Sequence, residues 1–417
     1  MLAGRGTMIR SGLIVALFAG SAMTVLAHHG AGTFDLSQSV TYTGKLSRLE
    51  FINPHSWLYF EVTDANGRVS RHRCEMRSAH TLRRSGWSPD LFRMGQPVTI
   101  EAAPDRNDPN SCYLNTIKFQ DGSAMDRYGQ YVKGEGGKPV EVRGPVKVAD
   151  TSTRAARRPS GEPNISGDWA PEQVVMANPR GTGGGLVPLS QIGERQTEEQ
   201  LAAARAARAG GGGARAGGRG GAARAGGAGR RGGGGGAGRV GGVELTELGA
   251  ATRAKFTQAD NPRFKCETTS ILFDWTFDGP VNRITQTRDR IVIQYGQMRL
   301  RREIQMNQQT HPPNVRPSRA GHSIGRWEGE VLVVDTVGLQ PGQLTNGLPH
   351  GNQLHVVERF TLDSKTLRLT RAYTAEDPEY FTGQYTGQDV VQVADFPYIE
   401  DNCREQGFIN YSEQASR

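Results

Sequence analysis

The sequence is short of features that mark several common classes of protein. Four cysteines in 417 residues allow at most two disulfides. After residue 27 no segment approaches the roughly 20 apolar residues of a transmembrane helix, so we expect no membrane span beyond that point. A Gly-x-Ser-x-Gly nucleophile elbow requires a helix after its serine, and the sequence that follows the one match, residues 321–325, is typical of strands. We interpret residues 321–325 as a turn.

Basic charge is also scarcer in the folded part of the chain than the total suggests. The formal net charge is +8, but eight arginines lie between residues 205 and 239, within or just before one Gly/Ala/Arg tract, and two more precede residue 28. Without them the remainder carries about −2, which does not predict nucleic-acid binding. The tract resembles RNA-binding Arg/Gly segments in composition, but export removes cytosolic RNA as a partner. We interpret it as a spacer, with weak contact to anionic cell-surface polymers as the alternative.

Residues 1–27 have the pattern of a signal peptide. Arg5 and Arg10 precede an apolar core, Leu13–Ala19, that is too short to span a bilayer. Val25–Ala27 supplies a small-x-small cleavage site, which makes His28 the first residue of the mature chain. We expect the protein in the periplasm or secreted. A retained membrane anchor is the alternative.

The cysteines fall on either side of the Gly/Ala/Arg tract. Cys74 and Cys112 precede it, and Cys266 and Cys403 follow it. In an oxidising compartment this distribution predicts one disulfide per domain, Cys74–Cys112 and Cys266–Cys403. The sequence alone allows three connectivities, and free buried thiols are a further alternative.

Residues 28–122 predict a small β-domain with one helical interruption. Strand-like segments are bounded by turn residues such as Asp64-Ala65-Asn66-Gly67. The predicted elements are strands Val40–Phe51, Ser56–Asp64 and Arg68–Met76, a helix Ser78–Ser85, and strands Pro97–Ala102 and Tyr113–Phe119. Three strands, a helix and two strands is the order of an OB-like barrel, with a generic β-sandwich as the alternative.

The rest of the chain divides into a linker and a second domain. Residues 123–163 are rich in Gly and Pro and predict a linker. Residues 164–207 begin a new domain with a helix at 191–207, and residues 208–242, the Gly/Ala/Arg tract, are expected to be disordered. Residues 243–417 predict an antiparallel β-meander or barrel-like domain. The fold class is therefore mostly β.

In the second domain the predicted strands follow one another closely. They are Thr268–Phe277, Asn282–Thr287, Arg290–Tyr295, Arg299–Met306, Glu330–Thr336, Gln353–Leu362, Thr366–Tyr373 and Gln388–Val393. Val331–Val334 is apolar on both faces, which predicts a central strand. We expect Trp327 to pack in the core.

Three motifs in the first domain resemble a family of small exported bacterial proteins of unknown function. They are Ala27–Gly30, Phe51–Trp57 and Leu82–Trp87, and the family pattern is His-His-Ser, Asn-Pro-His and Arg-Arg-Gly-Trp. This chain has Gly30 in place of the Ser and an inserted Ser85. Neither change touches the histidines.

The second half resembles another widespread exported domain. The resemblance rests on Gly321–Glu330 and His355–Phe360. Together the two resemblances cover most of the predicted ordered chain. They imply fold and export and do not imply a reaction.

The mature N-terminus is a candidate metal site. The free amine and imidazole of His28, next to His29, could chelate Cu(II), with His55 from the Asn-Pro-His turn as a third nitrogen. This arrangement is similar to the histidine brace of copper monooxygenases. The alternative is that His28 and His29 are a solvated end and that His55 packs on Trp57.

A second candidate site lies in the second domain, where four histidines fall within 45 consecutive residues, near Asp335 and Glu358. Zinc binding or acid–base chemistry could use such a set. On one strand His355 and Glu358 point to opposite faces, which argues against a shared site. The possible pocket residues are His322, Asp335, His350 and His355, and His311 is the remaining histidine. Ordinary loop and turn histidines are the alternative.

Two functions follow from these sites. The first is an exported, non-enzymatic binding protein that carries copper or another transition metal at its N-terminus. The second is a periplasmic enzyme that acts on a small apolar or phenolic ligand inside the C-terminal β-domain.

Overall fold

The computed structural model describes residues 34–85, 87–127, 131–135, 138–141, 154–172, 174–176, 186–188, 239–257, 260–345 and 347–405. In these ranges the protein is mostly β-sheet, with a small barrel-like sheet followed by a larger one. This confirms the predicted fold class. The signal-peptide segment, the predicted helix 191–207 and most of the Gly/Ala/Arg tract lie outside the described residues.

The first domain is a five-stranded barrel with a short helix. Its elements are β1 (Val40–Glu50), β2 (Trp57–Thr63), β3 (Val69–Glu75), α1 (Ala79–Arg84), β4 (Pro97–Pro104) and β5 (Ser111–Phe119). β1 pairs with β2 and β4, β2 with β3, and β4 with β5, all antiparallel. The parallel pair β3–β5 closes the sheet. The order of three strands, a helix and two strands is the order that the sequence predicts.

Short elements continue the first sheet and lead towards the second. β6 (Ala124–Asp126), β7 (Tyr131–Glu135) and β8 (Lys138–Glu141) extend the sheet within the segment 123–163, which the sequence predicts to be a linker. The next elements are β9 (Gly167–Ala170), β10 (Val174–Met176), β11 (Leu186–Pro188), β12 (Arg239–Val240), β13 (Val243–Leu245) and α2 (Glu247–Lys255). The Thr246 side chain caps α2 by accepting a hydrogen bond from Gly249 N at 3.1 Å.

The second domain is a closed barrel of nine strands. The remaining strands are β14 (Asn282–Gln286), β15 (Arg290–Gln294), β16 (Arg301–Gln305), β17 (His322–Glu328), β18 (Val331–Val337), β19 (Gly342–Thr345), β20 (Leu348–His350), β21 (His355–Asp363), β22 (Arg368–Glu376), β23 (Phe381–Thr382) and β24 (Tyr385–Val393). The barrel order is β14-β15-β16-β17-β18-β21-β22-β24-β9. The β16–β17 pair is parallel, whereas the sequence predicts antiparallel strands throughout. β18 is paired on both sides, as its apolar sequence predicts.

Both predicted disulfides are present. Cys74–Cys112 joins directly opposed residues of the closing pair β3–β5. Cys266–Cys403 spans 137 residues and ties a C-terminal segment to the second barrel. We call residues 395–405 the strap.

The predicted strand Thr268–Phe277 is wrong. The Ser270 hydroxyl accepts hydrogen bonds from Leu272 N and Phe273 N, at 3.2 and 3.0 Å. The buried Asp274 carboxylate accepts another from Thr269 N at 2.6 Å. These local acceptors compete with a strand ladder for the backbone donors. The segment therefore folds into turns and a short 3-10 helix, Phe273–Trp275, whose Trp275 is fully buried in the core.

The predicted turn at residues 321–325 is also wrong, because β17 begins at His322. A Cβ added to Gly325 would lie only 2.7 Å from Ile304 Cγ2 and from Met306 Sδ. This glycine therefore permits close packing rather than a turn. Trp327, on the same strand, is half-buried and packs against the core as predicted.

An ion network lies inside the second barrel, among the buried apolar residues of its core. Glu358 is 0% exposed, and its carboxylate pairs with Arg302 at 2.5 Å and with Arg371 at 3.2 Å. Burial raises the pKa of Glu358, but the two arginine charges outweigh it and hold the pKa below its usual value. Arg371 also donates to Ile271 O and Leu272 O, at 3.1 and 2.9 Å. The network thus anchors the 268–277 segment inside the barrel.

We predict that Glu358→Gln lowers the free energy of unfolding by roughly 3–5 kcal/mol, because it leaves two buried guanidinium groups with one carboxylate fewer. Urea denaturation of the full chain measures this. Glu328→Gln is the matched control, since Glu328 pairs with Arg326 and Arg359 on the exposed outer face. The control should change stability very little. Equal losses in both variants would contradict the structural role of the network.

Candidate functional site

Three histidines and an aspartate meet on the outer face of the second barrel. His311 Nδ1 lies 2.8 Å from His322 Nδ1, and His311 Nε2 lies 3.0 Å from Asp335 Oδ1. His355 Nε2 lies 2.9 Å from the same oxygen. The side chains form a hydrogen-bonded chain in the order His322, His311, Asp335, His355. We call it the histidine cluster.

Strand register places three of the four residues. Asp335 of β18 lies opposite Ile324 of β17 and Val357 of β21. His322 and His355 are each two residues away from these partners, so they share the face of Asp335 and lie diagonally across from it. The three side chains therefore meet across three neighbouring strands.

The same alternation separates Glu358 from the cluster. His355 reaches Asp335 on the outside of the barrel, whereas Glu358 pairs with Arg302 and Arg371 inside. The two residues lie on opposite faces of β21, as predicted, and serve different sites.

His311 reaches the cluster from the loop between β16 and β17. Parallel strands cannot be joined by a tight hairpin, so this connection runs from residue 306 to residue 321. His311 packs edge-on to His322, with ring centroids 5.1 Å apart. The candidate set from the sequence left His311 out, because a loop residue has no strand periodicity to place it on a face.

The cluster is open to solvent on one side. The side chains are 17% exposed at His311, 28% at Asp335 and 41% at His355. The hydrogen bond to Asp335 raises the pKa of His355, and the hydrogen bonds from His355 and His311 lower the pKa of Asp335. Burial, with the nearby His311 charge, lowers the pKa of His322. The site therefore combines an ionised carboxylate with one imidazole that favours its proton and one that resists it.

The donor atoms of the cluster form a chain rather than a shell. Within the part of the chain that the structure describes, no three His, Cys, Asp or Glu side chains already surround a position for a metal ion. The carboxylate and imidazole groups of the cluster are hydrogen-bonded to one another instead.

His350, a member of the predicted set, lies away from the cluster. It belongs to the β19–β20 hairpin, is 4% exposed, and its Nδ1 lies 3.1 Å from Gly351 O. Burial lowers its pKa. Its contacts are those of a packed hairpin residue.

Only one of the three predicted N-terminal ligands lies within the described residues. His28 and His29 are outside them. His55 Nδ1 lies 3.0 Å from Glu75 Oε1, and its ring lies 6.3 Å from Phe264 of the second domain. Burial lowers the pKa of His55, but the Glu75 charge and hydrogen bond outweigh it and the net shift is upward. His55 is therefore part of the joint between the domains.

Other motif residues of the first domain also lie at this joint. Asn53 Nδ2 donates to Asp401 Oδ1 of the strap at 2.6 Å. Arg84 donates to Asp395 Oδ1 at 2.9 Å and to Gly279 O and Pro171 O at 2.8 Å each. The Asn-Pro-His and Arg-Arg motifs of the first domain thus form hydrogen bonds and contacts with the second domain and the strap.

An open cleft of about 450 Å³ lies beside the strap, outside the second barrel. Three charged residues line it, Asp168, Arg283 and Asp395. Asp168 and Arg283 pair with each other through hydrogen bonds of 2.7 and 2.9 Å, and Asp395 pairs with Arg84 at 2.9 Å. The cleft therefore presents little uncompensated charge to a ligand.

The structure defines the class as a β-protein with two barrels and a histidine cluster on the second. Comparison with known proteins adds a family resemblance over the first domain. The model of a family described as "Family of unknown function (DUF6152)" matches residues 16–112, which end at Cys112 in β5. No curated protein and no solved structure matches the chain. Among the described residues, no helix is long and apolar enough to cross a membrane.

We predict that Asp335→Asn lowers the pKa of His355, because it removes the carboxylate that stabilises the imidazolium. Histidine NMR titration of the full chain measures this, and wild-type His355 should titrate above His322. A pKa raised by folding stabilises the fold fully below the unfolded value of about 6.5, and the gain is lost as pH rises through the folded pKa. The stability difference between wild type and variant should therefore be larger near pH 6 than near pH 9. An unchanged His355 titration would contradict the pairing.

Proposed function

We propose that the protein is an exported binding protein for a divalent transition-metal ion and that the histidine cluster is its site. The supporting observation is that His311 Nε2 and His355 Nε2 both lie within 3.0 Å of Asp335 Oδ1. Ligand atoms around a tetrahedral ion, each 2.0–2.2 Å from it, are roughly 3.3 Å apart. Each nitrogen is therefore already close to the spacing from the carboxylate that a shared ion requires.

Binding would replace the two hydrogen bonds to Asp335 with metal–ligand bonds. The ion would take Nε2 of His311, Nε2 of His355 and a carboxylate oxygen of Asp335, and the two imidazoles would have to converge on it. His311 lies on a loop, and His355 is the first residue of β21. His322 would hold the His311 ring from behind, in the way that hydrogen-bond partners orient metal-binding histidines.

The donor set selects the class of metal. Two imidazoles and one carboxylate suit Zn²⁺ and Cu²⁺, whereas Mg²⁺ and Ca²⁺ prefer shells of oxygen atoms. The two disulfides support an exported location, because disulfides persist in oxidising compartments. The filled interior of the second barrel gives no comparable support to a ligand pocket there.

We predict that the full chain binds Zn²⁺ or Cu²⁺ and that the cluster residues control the affinity. Isothermal titration calorimetry should show that His355→Ala and Asp335→Asn each weaken binding more than about 100-fold, and that His322→Ala weakens it roughly 10–100-fold. Binding should also weaken as the pH falls through about 6.5, because protons compete for the imidazoles.

Two matched controls remove the same side-chain types elsewhere. His72→Gln removes a half-buried histidine of the first domain, and Asp289→Asn removes an exposed aspartate of the second. Both should bind metal like the wild type. Wild-type affinity in His355→Ala and Asp335→Asn would exclude the cluster as the site.

The mature N-terminus remains a second proposed copper site, on the sequence pattern alone. Cleavage after Ala27 would give His28 a free amine, which together with its imidazole chelates Cu(II), with His29 adjacent and His55 as the third nitrogen. The position of His55 at the joint means that the N-terminal segment must reach that joint.

We predict that one residue added before His28 weakens Cu(II) binding by the mature protein, because it displaces the terminal amine and leaves both imidazoles in place. His55→Ala should weaken it further. Electron paramagnetic resonance of the Cu(II) form distinguishes this site from the histidine cluster, because only the N-terminal signal should respond to the extension. If neither change alters the signal or the affinity, copper does not bind at the N-terminus.

A further inference from the structure

The strap lies between the two domains and contacts the first through four hydrogen bonds. One is the bond from Arg84 Nε to Asp395 Oδ1, and the other three lie close to Cys403. Asn53 Nδ2 donates to Asp401 Oδ1 at 2.6 Å, in a buried position. Asn402 Nδ2 donates to Phe51 O at 3.2 Å, and Arg404 N donates to Asn53 O at 3.1 Å. These contacts flank residue 403.

Cys403 itself is bonded to the second domain. It forms the disulfide with Cys266, and its carbonyl accepts a hydrogen bond from Arg299 Nη2 at 3.1 Å. Further along the strap, Tyr398 N donates to Asp168 Oδ2 at 3.0 Å. The covalent attachment to one domain thus lies between residues that bind the other.

We propose that Cys266–Cys403 is a redox latch on the joint between the domains. A dithiol reductant attacks one sulfur through its thiolate, forms a mixed disulfide, and is released as a cyclic or protein disulfide when its second thiol attacks. Two electrons and two protons pass to the protein, which gains two thiols. The strap then dissociates more readily from the first domain. This proposal is independent of the metal site.

Strap docking and the disulfide stabilise each other. With the bond intact, Cys403 is held beside the second barrel, and Asp401 and Asn402 are presented to the first domain at a high effective concentration. By thermodynamic reciprocity, the contacts at Asn53 and Phe51 hold the Cys403 thiol near Cys266 and favour oxidation. Weakening either contact set should weaken the other.

The two disulfides differ in access. Cys74 and Cys112 are 0% exposed inside the closed first barrel. Cys266 is partly exposed, directly after the turn Pro262–Lys265. Because exchange requires a thiolate to reach a sulfur, Cys266–Cys403 should be reduced first, and Cys74–Cys112 serves as an internal reference.

Direct contacts between the barrels limit what the latch can do. Arg77 pairs with Asp278 at 3.1 Å, and the Thr81 hydroxyl donates to Asp278 O at 2.5 Å. Arg84 bonds to Gly279 O. Reduction should therefore loosen the joint without unfolding either barrel.

The test is an equilibrium reduction of the full chain in dithiothreitol buffers, with each disulfide quantified by alkylation and mass spectrometry. Asn53→Ala should shift Cys266–Cys403 towards reduction by roughly tenfold or more, because it removes the donor of a buried hydrogen bond to a charged group. Asp401→Asn should shift it in the same direction by a smaller factor, because it removes the charge from the buried acceptor. Glu400→Gln is the matched control, since it removes an exposed charge from the adjacent strap residue. Glu400→Gln should leave the reduction equilibrium of Cys266–Cys403 unchanged. None of the three variants should change the reduction equilibrium of Cys74–Cys112.

A second test compares hydrogen exchange of the wild-type protein in its oxidised and reduced states, and so requires no substitution. Reduction of Cys266–Cys403 alone should raise exchange at residues 51–53, 79–84 and 395–405 and leave the barrel strands protected. Exchange at the joint that is identical in both redox states would overturn the latch. The latch would also be overturned if the Asp401→Asn and Asn53→Ala variants, with Cys74–Cys112 intact, showed the wild-type reduction equilibrium of Cys266–Cys403.

Discussion

A buried carboxylate held between two guanidinium groups determines what the second barrel can contain. Glu358 pairs with Arg302 and Arg371, and Arg371 extends the constraint to the backbone of the 268–277 segment. An unpaired charge in this interior would be strongly destabilising, so the network has to stay intact. The charged residues inside the barrel therefore have a structural role.

The polar residues that are available to bind a ligand therefore lie on the outer face of the barrel. Because side chains alternate along a strand, the residues next to the inward-facing network point outward. His322, Asp335 and His355 occupy such positions at one end of three adjacent strands. The long connection required by the parallel pair β16–β17 then adds His311. One topological feature, a parallel pair in an otherwise antiparallel barrel, is therefore responsible for the fourth member of the cluster.

Sequence reasoning succeeded where physical signals are local. Strand β2 was predicted as Ser56–Asp64 and is Trp57–Thr63, because alternation and a flanking turn define it. It failed at Thr268–Phe277, where side-chain acceptors capture the backbone donors, and at β17, where Gly325 reads as a turn residue. Period-two alternation placed His355 and Glu358 on opposite faces. It could not supply the register that brings His322 to Asp335, nor the loop path of His311.

The most direct test of the account is anomalous diffraction from crystals of the full chain grown with zinc, collected on both sides of the zinc absorption edge. We expect a peak about 2.0–2.2 Å from His311 Nε2, Asp335 and His355 Nε2, with His322 still in contact with His311. A structure with the zinc bound elsewhere, and with the His311–Asp335–His355 hydrogen bonds intact, would contradict the assignment of the metal site to this outer face.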